Sequence, residues 1–399
     1  MYFFATAVET VTLLFTLAGL GYFLTALWAS RAFLRRSSQT VPDFAPGVSI
    51  LKPVKGLDPE MYEAFASHCR QQYAGEYEIL FGVSSLDDPA MPAVRRLEAE
   101  FPEHSIRLIV CPEVLGANGK VSNLTQMLPH ARHDYVVIND SDIRVGPSYL
   151  TRILATFGAA SGREPVGMVT APYRGRAHGT LGSKIEALGI STDFMPGVFT
   201  ALLLDGEIRF GLGSTLACSR AALEAAGGLA PLADYLADDY QLGRRIAEAG
   251  FSVQLSDEVV ETSVPAYRFR QFLDHQLRWA RGVRDSRRWG YAGLAFSYGL
   301  AWALLNLIAS GANLPSIALL CLALPTRVLV ALSVGTGLLN DRQVLRDLWL
   351  LPVRDLLALG IWAWSFAAHT VVWRGEVFEL RNGKLNRLRE KTTAEQPAV

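Results

Sequence analysis

Two uncharged apolar regions, one near each end of the chain, most constrain what it can fold into. From Thr10 to Ser30 no residue carries a charge, and Leu, Val, Phe and Ala dominate. At about 1.5 Å per residue, a helix of that length crosses a hydrocarbon core roughly 30 Å thick. Farther along, Trp289–Thr326 is uncharged throughout, Val328–Asn340 continues it beyond Arg327, and Leu356–Trp373 is a further uncharged run. Runs of this length with no polar face predict membrane helices rather than the cover of a soluble core. Arg31, Arg35 and Arg36 follow the first run, which predicts that the downstream side is cytosolic. A cleaved signal would carry its positive residues ahead of the apolar run, whereas Glu9 stands there.

The expected organisation is therefore a transmembrane helix at 8–30, a cytosolic domain at 40–288, membrane segments at 289–373 and a polar tail at 374–399. The protein is expected in a membrane as a multi-pass chain (the inner membrane, if the cell is bacterial). Three C-terminal spans would put the tail outside, yet Arg374, Arg381, Lys384, Arg387, Arg389 and Lys391 give it an inside-like charge. Pro325 and Arg327 mark their segment as the one expected not to span.

Composition narrows the partners. Lys+Arg and Asp+Glu balance at 38 each, which argues against nucleic acid as the main partner, because binding a phosphate backbone usually needs a basic excess. The four cysteines, Cys69, Cys111, Cys218 and Cys321, form no CxxC or Cys/His cluster, so neither a disulfide framework nor a structural zinc site is expected.

Between the apolar ends, short β-rich runs alternate with helical stretches. VSIL at 48–51, EILFGV at 78–83, IRLIV at 106–110 and YVVIN at 135–139 are separated by helical patterns at 60–72, 93–101 and 120–128. Near-continuous apolar strands in such alternation predict an α/β domain whose mostly parallel sheet is covered on both faces. Ligands of such sheets bind outside the carboxyl ends of the strands.

Acidic groups fall at those ends. Asp87 and Asp88 follow FGV, and Asp140-Ser141-Asp142 follows YVVIN. Residues i and i+2 of an extended segment face one side, so Asp140 and Asp142 can share a hard divalent cation, Mg2+ or Mn2+, which bridges diphosphate oxygens. Asp and Ser also favour plain turns, and for Asp87–Asp88 the turn reading is as good as the functional one. A third group, Asp238-Asp239, opens a helix that stops at Gly250. Asp238 suits the helix cap, which leaves Asp239 available as a base for an attacking hydroxyl. Finally His275-Gln276-Leu277-Arg278-Trp279 lies in the basic stretch from Arg268 to Arg288. The Arg278 fork suits diphosphate oxygens and the Trp279 face suits a sugar or a lipid. Arg281, Arg284, Arg287 and Arg288 fit anionic head groups of a membrane surface.

The order Asp88, Asp140, Asp239, Arg278-Trp279 resembles the D, D, D, (Q/R)xxRW signature of membrane-bound inverting glycosyltransferases with a GT-A-type, nucleotide-sugar-binding fold. VSILKPVKGLDP at 48–59, LDDPA at 86–90, GANGKVSNL at 116–124, DSDIRV at 140–145, ADDY at 237–240 and WRGEVFELRNG at 373–383 are similar to the ceramide glucosyltransferase family. LADYLADDYQLG also looks like bacterial members linked to hopanoid lipids. The resemblance implies a UDP-sugar donor and a membrane-lipid acceptor. Asp87, Asp88, Lys120, Asn123, Asp140, Arg278 and Trp279 would contact the donor, Asp140 and Asp142 the metal, and Asp239 would be the catalytic base. Asp193 and His275 fall in the acceptor region, where the chain departs from the pattern: His275 replaces Gln or Arg, and Ser191-Thr192-Asp193-Phe194 stands where animal enzymes carry a histidine. Ceramide is the expected acceptor and glucose the expected sugar. N-acetylglucosamine transfer to the hopanoid bacteriohopanetetrol is the alternative, and a processive polysaccharide synthase would need more spans than the sequence offers.

Overall fold

The computed structural model describes residues 2–37, 43–159, 164–373 and 376–388. The expected domain start at 40 and the tail beyond 388, including Arg389 and Lys391, lie outside these residues.

The four apolar runs fold as strands β1 (Val48–Pro53), β2 (Tyr77–Val83), β3 (Ser105–Val110) and β4 (Tyr135–Ile138). They pair in parallel in the order β3-β2-β1-β4. Period-2 side-chain alternation divides their residues between two layers. Val48, Ile50, Ile79, Phe81 and Val137 pack against α2 (Met61–Cys69), α3 (Met91–Glu100) and α5 (Tyr149–Gly158). Leu51, Leu80, Val136 and Ile138 pack against α4 (Gly119–Met127), α8 (Arg220–Ala225) and α9 (Asp238–Glu248). Burial on both faces explains why these strands read as continuous apolar runs rather than alternating ones.

Chain reversal beyond β4 makes the sheet mixed. After the short β5 (Ile143–Arg144) come β6 (Val166–Thr170), β7 (Tyr173–Ala177), β8 (Leu216–Ser219), β9 (Ser252–Leu255) and β10 (Val260–Val264). Strand β8 runs antiparallel to both β4 and β6, and β9 closes the seven-stranded sheet parallel to β6. A second sheet, β5-β10-β7, sits beside the end of β4.

The long helix α1 (Tyr2–Ser37) packs with α7 (Met195–Asp205), α12 (Gly299–Ala309) and α13 (Leu314–Ala331) around Phe23, Phe33, Phe199 and Leu300. Among the described residues, three stretches are long and apolar enough to cross a membrane: Thr6–Arg36, Leu181–Asp205 and Leu314–Leu338. The second runs from α6 (Leu181–Gly189) through a π-helical turn at Ile190–Phe194 into α7. The bent pair Arg288–Ser297 and Gly299–Ala309, which contains α11 (Arg288–Gly293), makes a fourth if counted as one span.

Three sequence expectations differ from this arrangement. The Pro325–Arg327 segment was expected to be interrupted, but α13 runs through Pro325 and continues as a π-helical turn to Leu338. The break falls instead between Ser297 and Gly299, with a 58° bend. Leu356–Trp373 is not one helix. After α14 (Gln343–Asp347), α15 (Leu351–Ser365) ends and the chain turns into β11 (Thr370–Trp373). A polar tail was expected from residue 374, but β12 (Glu376–Arg381) and β13 (Lys384–Arg387) pair with β11 in an antiparallel sheet. Val371, Phe378, Leu380 and Leu385 bury one face of that sheet against Ala117, Leu236 and Trp373, which supplies the apolar contact a tail would lack.

Candidate active site

A cleft of about 500 Å3 opens at the carboxyl ends of β1 and β4. One wall comes from the α/β sheet and includes Lys55, Asp58, Lys120, Asn123, Asp140, Asp142, Asp238 and Asp239. The opposite wall is contributed by the α6–α7 stretch and by the amphipathic helix α10 (Phe269–Ser286). It includes Glu186, Ile190, Phe194, His275, Arg278, Trp279 and Val283.

On the sheet wall, Lys120 ties two acidic motifs together. Its Nζ lies 2.8 Å from Asp140 Oδ1 and 3.4 Å from Asp238 Oδ2. Burial alone would lower this ammonium, but Asp140 and Asp238 outweigh it and hold Lys120 above the ordinary lysine range. Asn118 accepts from Val121 N to cap α4, and its amide donates to Tyr235 O at 2.8 Å and Asp238 Oδ1 at 3.3 Å. Lys120 is thereby placed in the first turn of α4. The expected capping role of Asp238 is corrected: Ala237 is the cap residue of α9, no side chain caps it, and Asp238 serves Lys120 and Asn118 instead. An oppositely charged ammonium within reach competes successfully for a carboxylate that neutral N–H groups would otherwise hold.

Asp239 is half-buried beside this pair, and its Oδ1 accepts from Tyr240 N at 2.7 Å. Burial first, then the negative charge of Asp238, push its carboxyl up to about 6 against the pull of Lys120. Gly213 explains how two carboxylates share the space: a Cβ there would come within 3.1 Å of Asp239 Oδ2 and 3.7 Å of Asp140 Oδ2. Asp142 accepts from the Thr262 hydroxyl, and burial, with Asp140 next, pushes it up to about 7.

Asp140 and Asp142 offer hard oxygen donors to one cleft, a set that fits Mg2+ or Mn2+ if the remaining oxygens come from a diphosphate and water. Among the described residues, no three His, Cys, Asp or Glu side chains form a ready metal cage.

Two groups absent from the sequence reading support this wall. Lys52 is wholly buried at the end of β1, and its Nζ donates to Asp140 O at 3.2 Å. Burial lowers this amine to about 7 although Asp142 and Asp140 pull the other way. Its signal was a lone lysine closing an apolar strand, VSILK. Asn139, also buried, donates to Ser214 O at 2.7 Å and Tyr149 OH at 2.9 Å, fixing the backbone just before Asp140.

The structure does not bring every expected residue into the cleft. Asp87 is exposed, and neither it nor Asp88 lines the cleft. Asp88 instead accepts Gly56 N at 3.0 and 3.1 Å and Ala90 N at 2.9 Å. It thereby clamps the loop that presents Lys55 and Asp58, with Gly56 at φ 74°, a conformation suited to glycine. Asp193 is likewise outside the lining. Its carboxylate pairs with Arg354 at 2.7 Å, whereas its neighbours Ile190 and Phe194 face the cleft. Asn123 lines the cleft and accepts from Ser84 Oγ at 3.1 Å. His275 is held by Glu186, with Nδ1 3.0 Å from Oε2, and its ring lies 4.9 Å from the tilted ring of Trp279. Glu186 was not singled out in the sequence, although a lone carboxylate in an apolar helical stretch is a recognisable signal.

Comparison with known proteins supplies the context. The model of glycosyl transferase family 21 matches residues 11–386. Ceramide glucosyltransferase 3 of Caenorhabditis elegans is 26% identical over 358 residues, covering 85% of this chain and 73% of that one. Ceramide glucosyltransferase 1 of the same organism is 25% identical over 236 residues, 59% of this chain and 49% of its own length. The ceramide glucosyltransferase of Komagataella phaffii is 33% identical over 124 residues, 30% of this chain and 24% of its own. Among solved structures, a mannosyltransferase from Pyrobaculum calidifontis in complex with GDP-Man and Mn2+ superposes with a TM-score of 0.51 at 21% identity, over 86% of this chain and 99% of that one. That likeness is one of fold, and the expected GT-A-type α/β architecture is what it shows.

Proposed function

The chain belongs to glycosyl transferase family 21, and from that premise we propose that it moves a hexose from a UDP-sugar to a hydroxyl of a membrane lipid, with inversion at the anomeric carbon. The observation that carries this reading is the meeting in one cleft of a charged wall and an aromatic, apolar wall that continues into the membrane-length stretch Leu181–Asp205. A nucleotide diphosphate fits the first and a lipid alcohol the second.

In the proposed reaction Asp239 takes the proton of the acceptor hydroxyl, whose oxygen forms the new bond to the anomeric carbon. The bond from that carbon to the diphosphate breaks, and UDP leaves with the electron pair. Lys120 and Arg278 stand where the growing phosphate charge can be neutralised, and Asn123 lines the donor end. A divalent cation, when bound by Asp140 and Asp142, would add Lewis-acid stabilisation of the leaving diphosphate. Asp88 acts on the donor through the loop it clamps. The catalytic domain is placed on the cytosolic face, a reading supported by Arg31, Arg35 and Arg36 after α1.

Ceramide is proposed as acceptor and glucose as sugar, on the similarity to the ceramide glucosyltransferases. The departures at His275 and at Ser191–Phe194 favour keeping bacteriohopanetetrol and N-acetylglucosamine as the second reading. Membranes holding the chain, given radiolabelled UDP-glucose or UDP-N-acetylglucosamine with ceramide or bacteriohopanetetrol, decide the matter. A lipid bearing a single sugar is expected. A polymer, or no labelled lipid, overturns the reading.

A further inference from the structure

The membrane-side wall of the cleft contains a buried carboxylate that the reaction above does not use. Glu186 sits in α6 between Ile185 and Ala187, both packed in apolar clusters, and is 5% exposed. Its Oε2 accepts from His275 Nδ1 at 3.0 Å and from Gln276 Nε2 at 3.1 Å, both one turn ahead of Arg278-Trp279 on α10. The imidazole also lies between two aromatic rings, Tyr267 at 5.3 Å and Trp279 at 4.9 Å. Ring plane and ring rotation are therefore both held, and the bond at Nδ1 decides which nitrogen can serve a ligand. Among the described residues no hydrogen bond is made at Nε2.

A polar pair meant only to join α6 to α10 would be a poor choice. Well-packed apolar residues of similar volume join buried helices as well or better, without the desolvation cost of a carboxylate. What distinguishes this pair is its place: Glu186, Tyr267 and His275 line the same cleft as Asp140 and Asp239, beside the apolar Ile190, Phe194 and Val283. A few fixed polar groups in an otherwise apolar wall are what orients a ligand of mixed character.

Resting on the glycosyl-transfer reading, we propose that His275 and Glu186 recognise the lipid's head group. His275 Nε2 hydrogen-bonds a second polar group of the acceptor, a hydroxyl or amide next to the hydroxyl that is glycosylated. Glu186 is the positioning residue that holds the ring for it. The acceptor class is thus a lipid alcohol with at least two polar functions at its head, rather than a simple fatty alcohol or sterol.

The test uses the full-length protein in nanodiscs as wild type, H275A, H275Q and E186Q. UDP affinity is measured alongside kcat and KM for two acceptor pairs: ceramide with 3-deoxyceramide, and bacteriohopanetetrol with a hopanoid carrying a single hydroxyl. The wild type should prefer the fully functional member of at least one pair by about tenfold in kcat/KM, the worth of one good hydrogen bond. In H275A and E186Q that preference should vanish through a rise in KM for the preferred acceptor, with UDP affinity within about twofold of wild type. H275Q, which restores an amide donor and acceptor, should recover part of it. A preference that survives H275A and E186Q overturns the proposal. So does a loss of UDP affinity equal to the loss of acceptor affinity, which would put the dyad on the donor side. Transfer by the wild type to none of the four lipids, with UDP still bound, overturns the lipid-transferase reading itself and this assignment with it.

Discussion

Asp239 and Lys52 show how burial tunes single groups in this cleft. With its carboxyl pushed up to about 6, Asp239 is ionised at neutral pH yet basic enough to accept a proton. A base acts in its deprotonated form, so kcat/KM for transfer should rise with pH through about 6 and level off above it. The Asp239→Asn variant should lose transfer by about a hundredfold or more while still binding UDP-sugar, and the residual rate should no longer follow that pH step. Near-normal turnover would remove Asp239 from the base role. Lys52 runs the other way. Its amine titrates near 7 in the folded chain and near the ordinary 10.5 when unfolded, so the unfolded chain binds more protons between those values. Stability should therefore rise with pH from about 7 towards 10. Lys52→Met should remove that slope and raise the melting temperature at pH 6–7 by several degrees, while weakening donor binding through the loss of a cation behind Asp140. Thermal unfolding across pH, read beside UDP affinity, separates the two effects.

At the scale of elements, helix contacts depend on positions where the backbone comes close. A Cβ on Gly19 would stand 2.2 Å from Gly299 Cα, so α1 and α12 touch backbone to backbone, an approach favoured between helices in lipid. Gly21, two residues on, has nothing within 4 Å of such a Cβ. Gly19→Leu should force the helices apart and lower the melting temperature and folded yield markedly, whereas Gly21→Leu should be nearly neutral. Equal behaviour of the two would refute the close contact. The strands and helices of residues 48–138 were legible because each carries its own period and its own end signals. The break at Tyr298 and the continuity through Pro325 were not. A proline kinks or passes according to whether neighbouring groups can meet the freed carbonyl, and that depends on packing rather than on local sequence.

For the whole molecule, the question is how the catalytic domain and the membrane helices are held in one geometry. Arg327 of α13 meets Asp355 of α15 at 2.7 and 3.0 Å and Thr192 of the π-helical turn at 3.3 Å, while Arg354 reaches Asp193. This buried network fastens the turn that presents Ile190 and Phe194 to the cleft. Arg327→Met would leave the buried Asp355 carboxylate only the longer 3.4 Å contact from Arg354 and should destabilise by about 3 kcal/mol, with Asp355→Leu in the same chain recovering much of the loss. Additive losses, measured by denaturant unfolding in detergent, would exclude the pairing as the cause. The C-terminal sheet acts on the opposite wall. Gly383 O accepts from Leu236 N at 3.0 Å, Asp234 O accepts from Leu385 N at 2.7 Å, and Asp285 accepts from Gly383 N. Removing residues 374–399 should therefore lower kcat and weaken donor binding severalfold through the loop that leads into Asp238 and Asp239, although no described residue of that segment lines the cleft. Full activity in the truncated chain would show that the loop holds itself.

The sequence by itself determined the α/β class, the ends of the parallel strands at which Asp140-Ser141-Asp142 lies, and the apolar helices. These are local matters: hydrophobic period, strand length and the rule that ligands gather where parallel strands end. Only the tertiary structure decided which charges face the cleft and which hold it together. Asp88, expected at the donor, and Asp193, expected in the acceptor region, were drawn away by Gly56 N–H and Arg354, while Lys52 and Glu186, neither singled out in the sequence, lie behind and within the cleft. The reason is physical. A carboxylate's role follows from the partners within about 4 Å, and those come from elements scores of residues away that only folding brings near.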